Sequence, residues 1–275
     1  MQQRTLTALV LAPIAIAIIL FLPTVAVAVI IGVLCLQALW EWTRLTGLGS
    51  IAVRAGIVVV NAIVLAVLWM IRDQPAAWWV IGSGVVWWAL ATWWLGNFSY
   101  AAAPTRENVA IKLAAAELAI LPAWLALMKL HAEPQYGHRW ALFVLILIWT
   151  ADTAAYFTGK RYGTTKLAPR ISPNKTIAGA WGALAGAGAL VVAGGWLLDA
   201  RGIPLVELVG LALLTVVASI IGDLFESLLK RQANVKDSGA LFPGHGGLLD
   251  RVDSQFAAMP IFVVGKALLD LAVGP

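Results

Sequence analysis

His245, Asp250, Arg251 and Asp253 fall within nine positions of one another, in Phe242-Pro-Gly-His-Gly-Gly-Leu-Leu-Asp-Arg-Val-Asp253. Asp250 and Asp253, at i and i+3, can meet on one helix face. Set opposite Asp223, they would form a carboxylate cluster. Such a cluster suits Mg²⁺, which takes oxygen ligands, keeps waters and shares phosphate oxygens. Glycines ahead of a helix let backbone N–H groups turn toward an anion. The plain alternative is a Gly-rich turn with a capping acid. Charge at this density beside a membrane segment is costly unless it is used.

The preceding segment, 222–231, reads as a helix. Asp223, Glu226, Ser227, Lys230 and Arg231 then share one face, and Leu224, Phe225, Leu228 and Leu229 fill the other. A solvated interfacial helix with internal ion pairs is the simpler reading of this segment alone. A second polar stretch runs from Asp152 to Thr176. Asp152 lies within an apolar segment, where an acid is a functional candidate by default. In Ser172-Pro-Asn-Lys-Thr176, Pro173 is expected to fix a turn. Lys175 and Thr176 then open the next helix, a good place to hold phosphate.

The elements that must position these residues are membrane helices. Hydrophobic residues make up 61% of the 275 and charged residues 12%, about half the ~25% of an ordinary soluble domain. Mean hydropathy is +0.87. These values exclude a soluble enzyme, a disordered chain and a disulfide scaffold. The single cysteine, Cys35, permits no internal disulfide and no cysteine metal site. Nucleic acid is not an expected partner, because the net charge of +5 is not spread over a soluble face.

Spans of ~20 apolar residues are expected at about 6–22, 24–42, 52–71, 77–95, 109–130, 140–158, 177–198, 204–224 and 255–273. Only Leu22-Pro23-Thr24 separates the first two, and a single kinked pass is the alternative there. The N-terminal run is read as a retained first helix rather than a cleaved signal. With the N-terminus inside and the C-terminus outside, fourteen of the 19 Lys and Arg residues fall inside, as the positive-inside rule requires. The fold class is therefore an all-α polytopic membrane protein of about nine spans. A multi-span region, 1–140, would precede a catalytic membrane region, 141–275. Both polar stretches, 159–176 and 225–254, fall inside. Glu41 and Glu117 read as snorkelling or paired acids near span ends. His131 and His138 read as outer-loop residues, and the tryptophans as belt and packing residues.

The run from Ser227 to Asp253 resembles the signature of phosphatidate cytidylyltransferases, also called CDP-diacylglycerol synthases. It carries Ser227, Lys230-Arg231, Lys236-Asp237, Gly239, Pro243, His245-Gly246-Gly247, Leu248 and Asp250-Arg251-Val252-Asp253, with no mismatch over 27 positions. Asp152, Ala155-Tyr156, Gly159-Lys160, Ser172-Pro173, Lys175-Thr176 and Gly222-Asp223 resemble further family blocks. The resemblance implies transfer of the cytidylyl group of CTP to phosphatidate with Mg²⁺. The site is expected on the cytoplasmic face of a bacterial inner membrane, from the placement of the basic residues, and a homodimer is a further expectation. It implies Asp223, Asp250, Asp253 and Asp152 on metal. Lys175, Lys230, Arg231, Lys236 and Arg251 are expected on phosphates, the His245-Gly246-Gly247 turn around the triphosphate, and Ser172 and Ser227 in support. A CDP-alcohol phosphotransferase would need an Asp-Gly-x-x-Ala-Arg motif, which is missing. A transporter would spread polar residues through many spans, whereas here they concentrate in two stretches.

Overall fold

The structure, a computed structural model, describes residues 2–194, 205–241 and 246–269, with backbone alone over 2–10. Nine helices are present among the described residues: α1 (Gln2–Phe21), α2 (Thr24–Leu45), α3 (Ile51–Ile71), α4 (Ala76–Gly96), α5 (Arg106–His131), α6 (Gly137–Tyr162), α7 (Ile177–Gly194), α8 (Leu205–Gln232) and α9 (Leu249–Leu268). Each overlaps one of the nine expected segments, but α9 starts at Leu249, six residues before the expected start of the ninth. The C-terminal ends expected for the seventh and ninth spans lie outside the described residues. Pro23 takes an extended conformation (φ −64°, ψ 151°) and separates α1 from α2, so these are two helices and not one kinked rod.

Six helices, α2, α3, α5, α6, α7 and α8, are long and apolar enough to cross a membrane. This is an all-α membrane protein by architecture. Helix α9 carries Asp250, Arg251 and Asp253 in its first two turns and Lys266 in its last. Its charge sets it apart from a simple apolar span.

The helices run back and forth between two ends of the bundle. At one end, Trp42 of α2 donates Nε1–H to the Lys112 carbonyl of α5 (3.0 Å), and Gln232 of α8 donates to the carbonyls of Phe98 and Tyr100 after α4 (2.8 and 2.9 Å). At the other end, His131 contacts Thr24 and the Ile19 carbonyl, His138 contacts the Leu20 carbonyl, and Lys266 pairs with Glu133 (2.7 Å). The two imidazoles stack with centroids 3.9 Å apart and bind together the α1, α2, α5 and α6 ends. Glu117 is paired as expected, accepting from Asn61 Nδ2 (2.9 Å).

Small residues bring α6 and α7 together. Gly182 and Gly186 face Thr158 and Ala154 with no room for a Cβ, the packing mode membrane helices use in place of hydrophobic drive. Aromatic packing secures α8. Phe225 is fully buried, with ring centroids 6.1 Å from Trp42, 5.5 Å from Trp87, 6.0 Å from Trp88 and 5.3 Å from Trp94. These tryptophans are buried packing residues, not belt residues.

Between α6 and α7 the chain forms an antiparallel hairpin, β1 (Lys166–Ala168) and β2 (Ser172–Thr176), with Ala168 opposite Ser172 and Lys166 opposite Thr176. The turn is at 169–171, not at Pro173 as expected. Pro173 sits in the strand, which it can do because both strands of a two-stranded sheet are edges.

Candidate active site

Helices α8 and α9 cross where the acids lie. A Cβ on Gly222 would fall 2.6 Å from the Asp253 carbonyl oxygen and 3.0 Å from Ala257 Cβ. Only glycine permits that approach. The helices are antiparallel here, so Asp223 comes into range of Asp253, and Glu226, one turn on, into range of Asp250 and Asp253. The four carboxylates form two rungs of a ladder. Such repulsion is tolerable only with cations alongside, and a lysine stands at each end. Lys175 Nζ is 2.5 Å from Asp223 Oδ2. Lys230 Nζ pairs with Glu226 and lies 2.5 Å from Asp250 Oδ1.

Lys175 is delivered by the hairpin. Thr176 ends β2 and accepts from Gly179 N–H (3.1 Å), an N-cap that starts α7 and fixes the residue before it. Arg231 Nε donates to the Ile171 carbonyl (3.2 Å), tying the hairpin turn to the end of α8. Asp152, though mid-helix, is exposed within the protein and in electrostatic range of Asp223 and Lys175.

Asp250 has two roles. Its Oδ2 accepts from Ser238 N–H (3.1 Å) and Gly247 N–H (2.7 Å) and lies 2.9 Å from Ser238 Oγ, while Oδ1 faces the Lys230 ammonium. One oxygen holds the segment before α9 and the other faces a cation. Gly246, at φ +81°, takes the left-handed conformation this turn needs.

The expected site residues thus converge on one end of the bundle, with differences. Lys230 was expected on phosphate but neutralises Glu226 and Asp250. Glu226 is buried, because it packs between two helices, so the solvated-helix reading of 222–231 does not hold. The Gly247 N–H turns to Asp250 rather than to open space. Ser227 Oγ reaches Asp223 Oδ1 only at 3.5 Å, at the limit of a hydrogen bond. Asp253 Oδ1 accepts from Ser254 N–H (2.7 Å). Ser172 is half-buried in β2, while Arg231, Lys236 and Arg251 are exposed. His245 lies outside the described residues.

Two residues were missed. Glu226 was visible as part of the stripe but given no role. Glu41, taken for a snorkelling or paired acid, is buried and hydrogen-bonded to the segment before α9. Nothing in its local sequence signals that.

Chemically, the site offers carboxylates neutralised by two lysines, with Arg231, Lys236 and Arg251 exposed in the segments that carry or join these helices. That arrangement suits a reaction between anions, in which charge must be held rather than protons moved. The chain is similar over its length to two proteins named phosphatidate cytidylyltransferase. One, from Pseudomonas aeruginosa, is 38% identical over 95% of each chain. The other, from Haemophilus influenzae, is 33% identical over 95% of this chain and 97% of that protein. A protein of the same name from Bacillus subtilis is 45% identical over 49% of each chain. Residues 2–268 match the cytidylyltransferase family, and the chain belongs to that family.

Proposed function

We propose that this chain transfers the cytidylyl group of CTP to phosphatidate, giving CDP-diacylglycerol and pyrophosphate for phospholipid synthesis. The observation that carries the reading is the α8–α9 crossing, with its carboxylate ladder and its lysine at either end. In this reaction a phosphate oxygen of the lipid attacks the α-phosphorus of CTP. The bond from that phosphorus to the bridging oxygen breaks, and pyrophosphate leaves with the electron pair. The nucleophile is already an anion, so no strong base is needed. Positioning and charge stabilisation do the catalysis. Lys175 stands over Asp223, where it can meet a phosphate. Arg231, Lys236 and Arg251 supply further cationic contacts around it.

The donor set fits Mg²⁺. Asp223, Asp250, Asp253 and Asp152 would supply oxygen ligands, Asp223 and Asp250 exchanging their lysine contacts for the ion. Among the described residues no three His, Cys, Asp or Glu side chains are grouped closely enough to hold a metal ion by themselves, so waters and substrate phosphates would have to complete the shell. When bound, Mg²⁺ would neutralise charge on the phosphates.

The site belongs at the membrane–water boundary. Phosphatidate keeps its acyl chains in the bilayer, and CTP cannot enter hydrocarbon, so the reacting phosphates meet at headgroup level. The side is the cytoplasmic face of a bacterial inner membrane, with nine passes and the N-terminus inside. The excess of basic residues at that end supports this. The test is purified protein with CTP, phosphatidate and Mg²⁺, following CDP-diacylglycerol and pyrophosphate. Both should form together, and omitting any component should abolish both. No product with all three present would refute the reading.

A further inference from the structure

The carboxylate of Glu41, in the last turns of α2, accepts four hydrogen bonds. Oε1 accepts from Leu248 N–H (3.0 Å) and Gln37 Nε2 (3.2 Å). Oε2 accepts from Leu249 N–H (2.9 Å) and Ser238 Oγ (2.8 Å). The two amides are the free N–H groups that open α9, which no side chain of α9 itself caps. The Ser238 hydroxyl also lies 2.9 Å from Asp250 Oδ2, so one hydroxyl joins Glu41 to Asp250.

The surrounding glycines are shaped to this carboxylate. A Cβ on Gly239 would fall 2.7 Å from Glu41 Cδ, and one on Gly247 would collide with Glu41 Oε2. Two signature glycines thus make room for an acid from the other half of the chain, about 200 residues away in sequence.

We propose that Glu41 is a positioning residue for the transfer. It fixes the start of α9 and, through Ser238, the orientation of Asp250, so that Oδ1 of Asp250 points to the cation side of the site. This rests on the cytidylyl-transfer reading above. Glutamine in its place would keep the size but set an NH₂ group against the donors it must accept from.

The experiment compares wild type, Glu41→Gln, Ser238→Ala and the double variant, purified in detergent. It records kcat, KM for CTP, the Mg²⁺ concentration for half-maximal rate, and thermal unfolding. Glu41→Gln should lower kcat at least tenfold and raise the Mg²⁺ requirement severalfold, while KM for CTP shifts less than threefold. Ser238→Ala should change both quantities in the same direction, and the double variant should be little worse than Glu41→Gln alone. A purely structural Glu41 would lower yield and unfolding temperature while leaving kcat per folded molecule and the Mg²⁺ response unchanged, which would overturn the proposal. Should Glu41→Gln fail to purify, Ser238→Ala decides: wild-type kcat and Mg²⁺ response there would equally overturn it. An inactive wild type would instead refute the transfer reading, which no effect confined to the variants can do.

Discussion

Lys175 Nζ and Asp223 Oδ2 stand 2.5 Å apart, one at the end of a hairpin and the other inside a membrane-length helix. Each is partly exposed, so the pair is open to a ligand that can separate them. Removing one preorganised contact to developing charge costs about 10²–10³ in kcat. Lys175→Ala should therefore lose about a hundredfold or more in CDP-diacylglycerol formation. Lys175→Ala combined with Asp223→Asn should be no worse than the poorer single variant, because the two act on one phosphate. A Lys175→Ala enzyme within tenfold of wild type would remove lysine from the reaction.

Asp223→Asn, Asp250→Asn and Asp253→Asn should each lower turnover by orders of magnitude while the protein still inserts and purifies. The loss follows from breaking a metal-bridged phosphate contact. Titrating each variant with Mg²⁺ is the measurement. Near-normal rates in two of the three at saturating Mg²⁺ would rule out the ladder as the metal site.

Gly222→Ala places a methyl group against the Asp253 backbone. Overpacking of this kind costs about 1–3 kcal/mol, and here it also spreads the two rungs. The variant should unfold at lower temperature and lose more activity than stability. Unfolding by heat, followed by tryptophan fluorescence alongside turnover, separates the two. An active, stable Gly222→Ala would mean that the helices do not meet this closely.

Topology can be read by labelling. With the buried Cys35 replaced, single cysteines at the exposed positions Thr165 and Ala240 should react with an impermeant maleimide only once the cytoplasmic face is opened. Labelling of either in intact spheroplasts would reverse the orientation.

The helices were legible in the sequence because hydrophobic length is a local property. Gln2–Phe21 and Thr24–Leu45 could be separated only because Pro23 breaks the backbone. The acids of α8 and α9 were legible because helical spacing places Asp250 and Asp253, and Asp223 and Glu226, on common faces. Their pairing across the crossing was not, since it depends on Gly222, whose role is the absence of a side chain. The hairpin was missed because its strands are short and polar, and Pro173 argues for a turn. Glu41 was missed for a different reason. Apart from Gln37 on its own helix, its partners are two backbone amides and a hydroxyl on another part of the chain, and amides leave no trace in a sequence.

The four indole rings around Phe225 have a consequence for motion. A rotation of α8 by one residue, about 100°, would carry Asp223 and Glu226 away from α9, and it would also drag Phe225 out of an aromatic box built by α2 and α4. Emptying such a box costs several kcal/mol, about what Phe→Ala costs in a core. Helix α8 is thereby locked in azimuth and acts as a fixed wall during turnover. CTP must then be received, and pyrophosphate and CDP-diacylglycerol released, against a wall whose acids keep their azimuth.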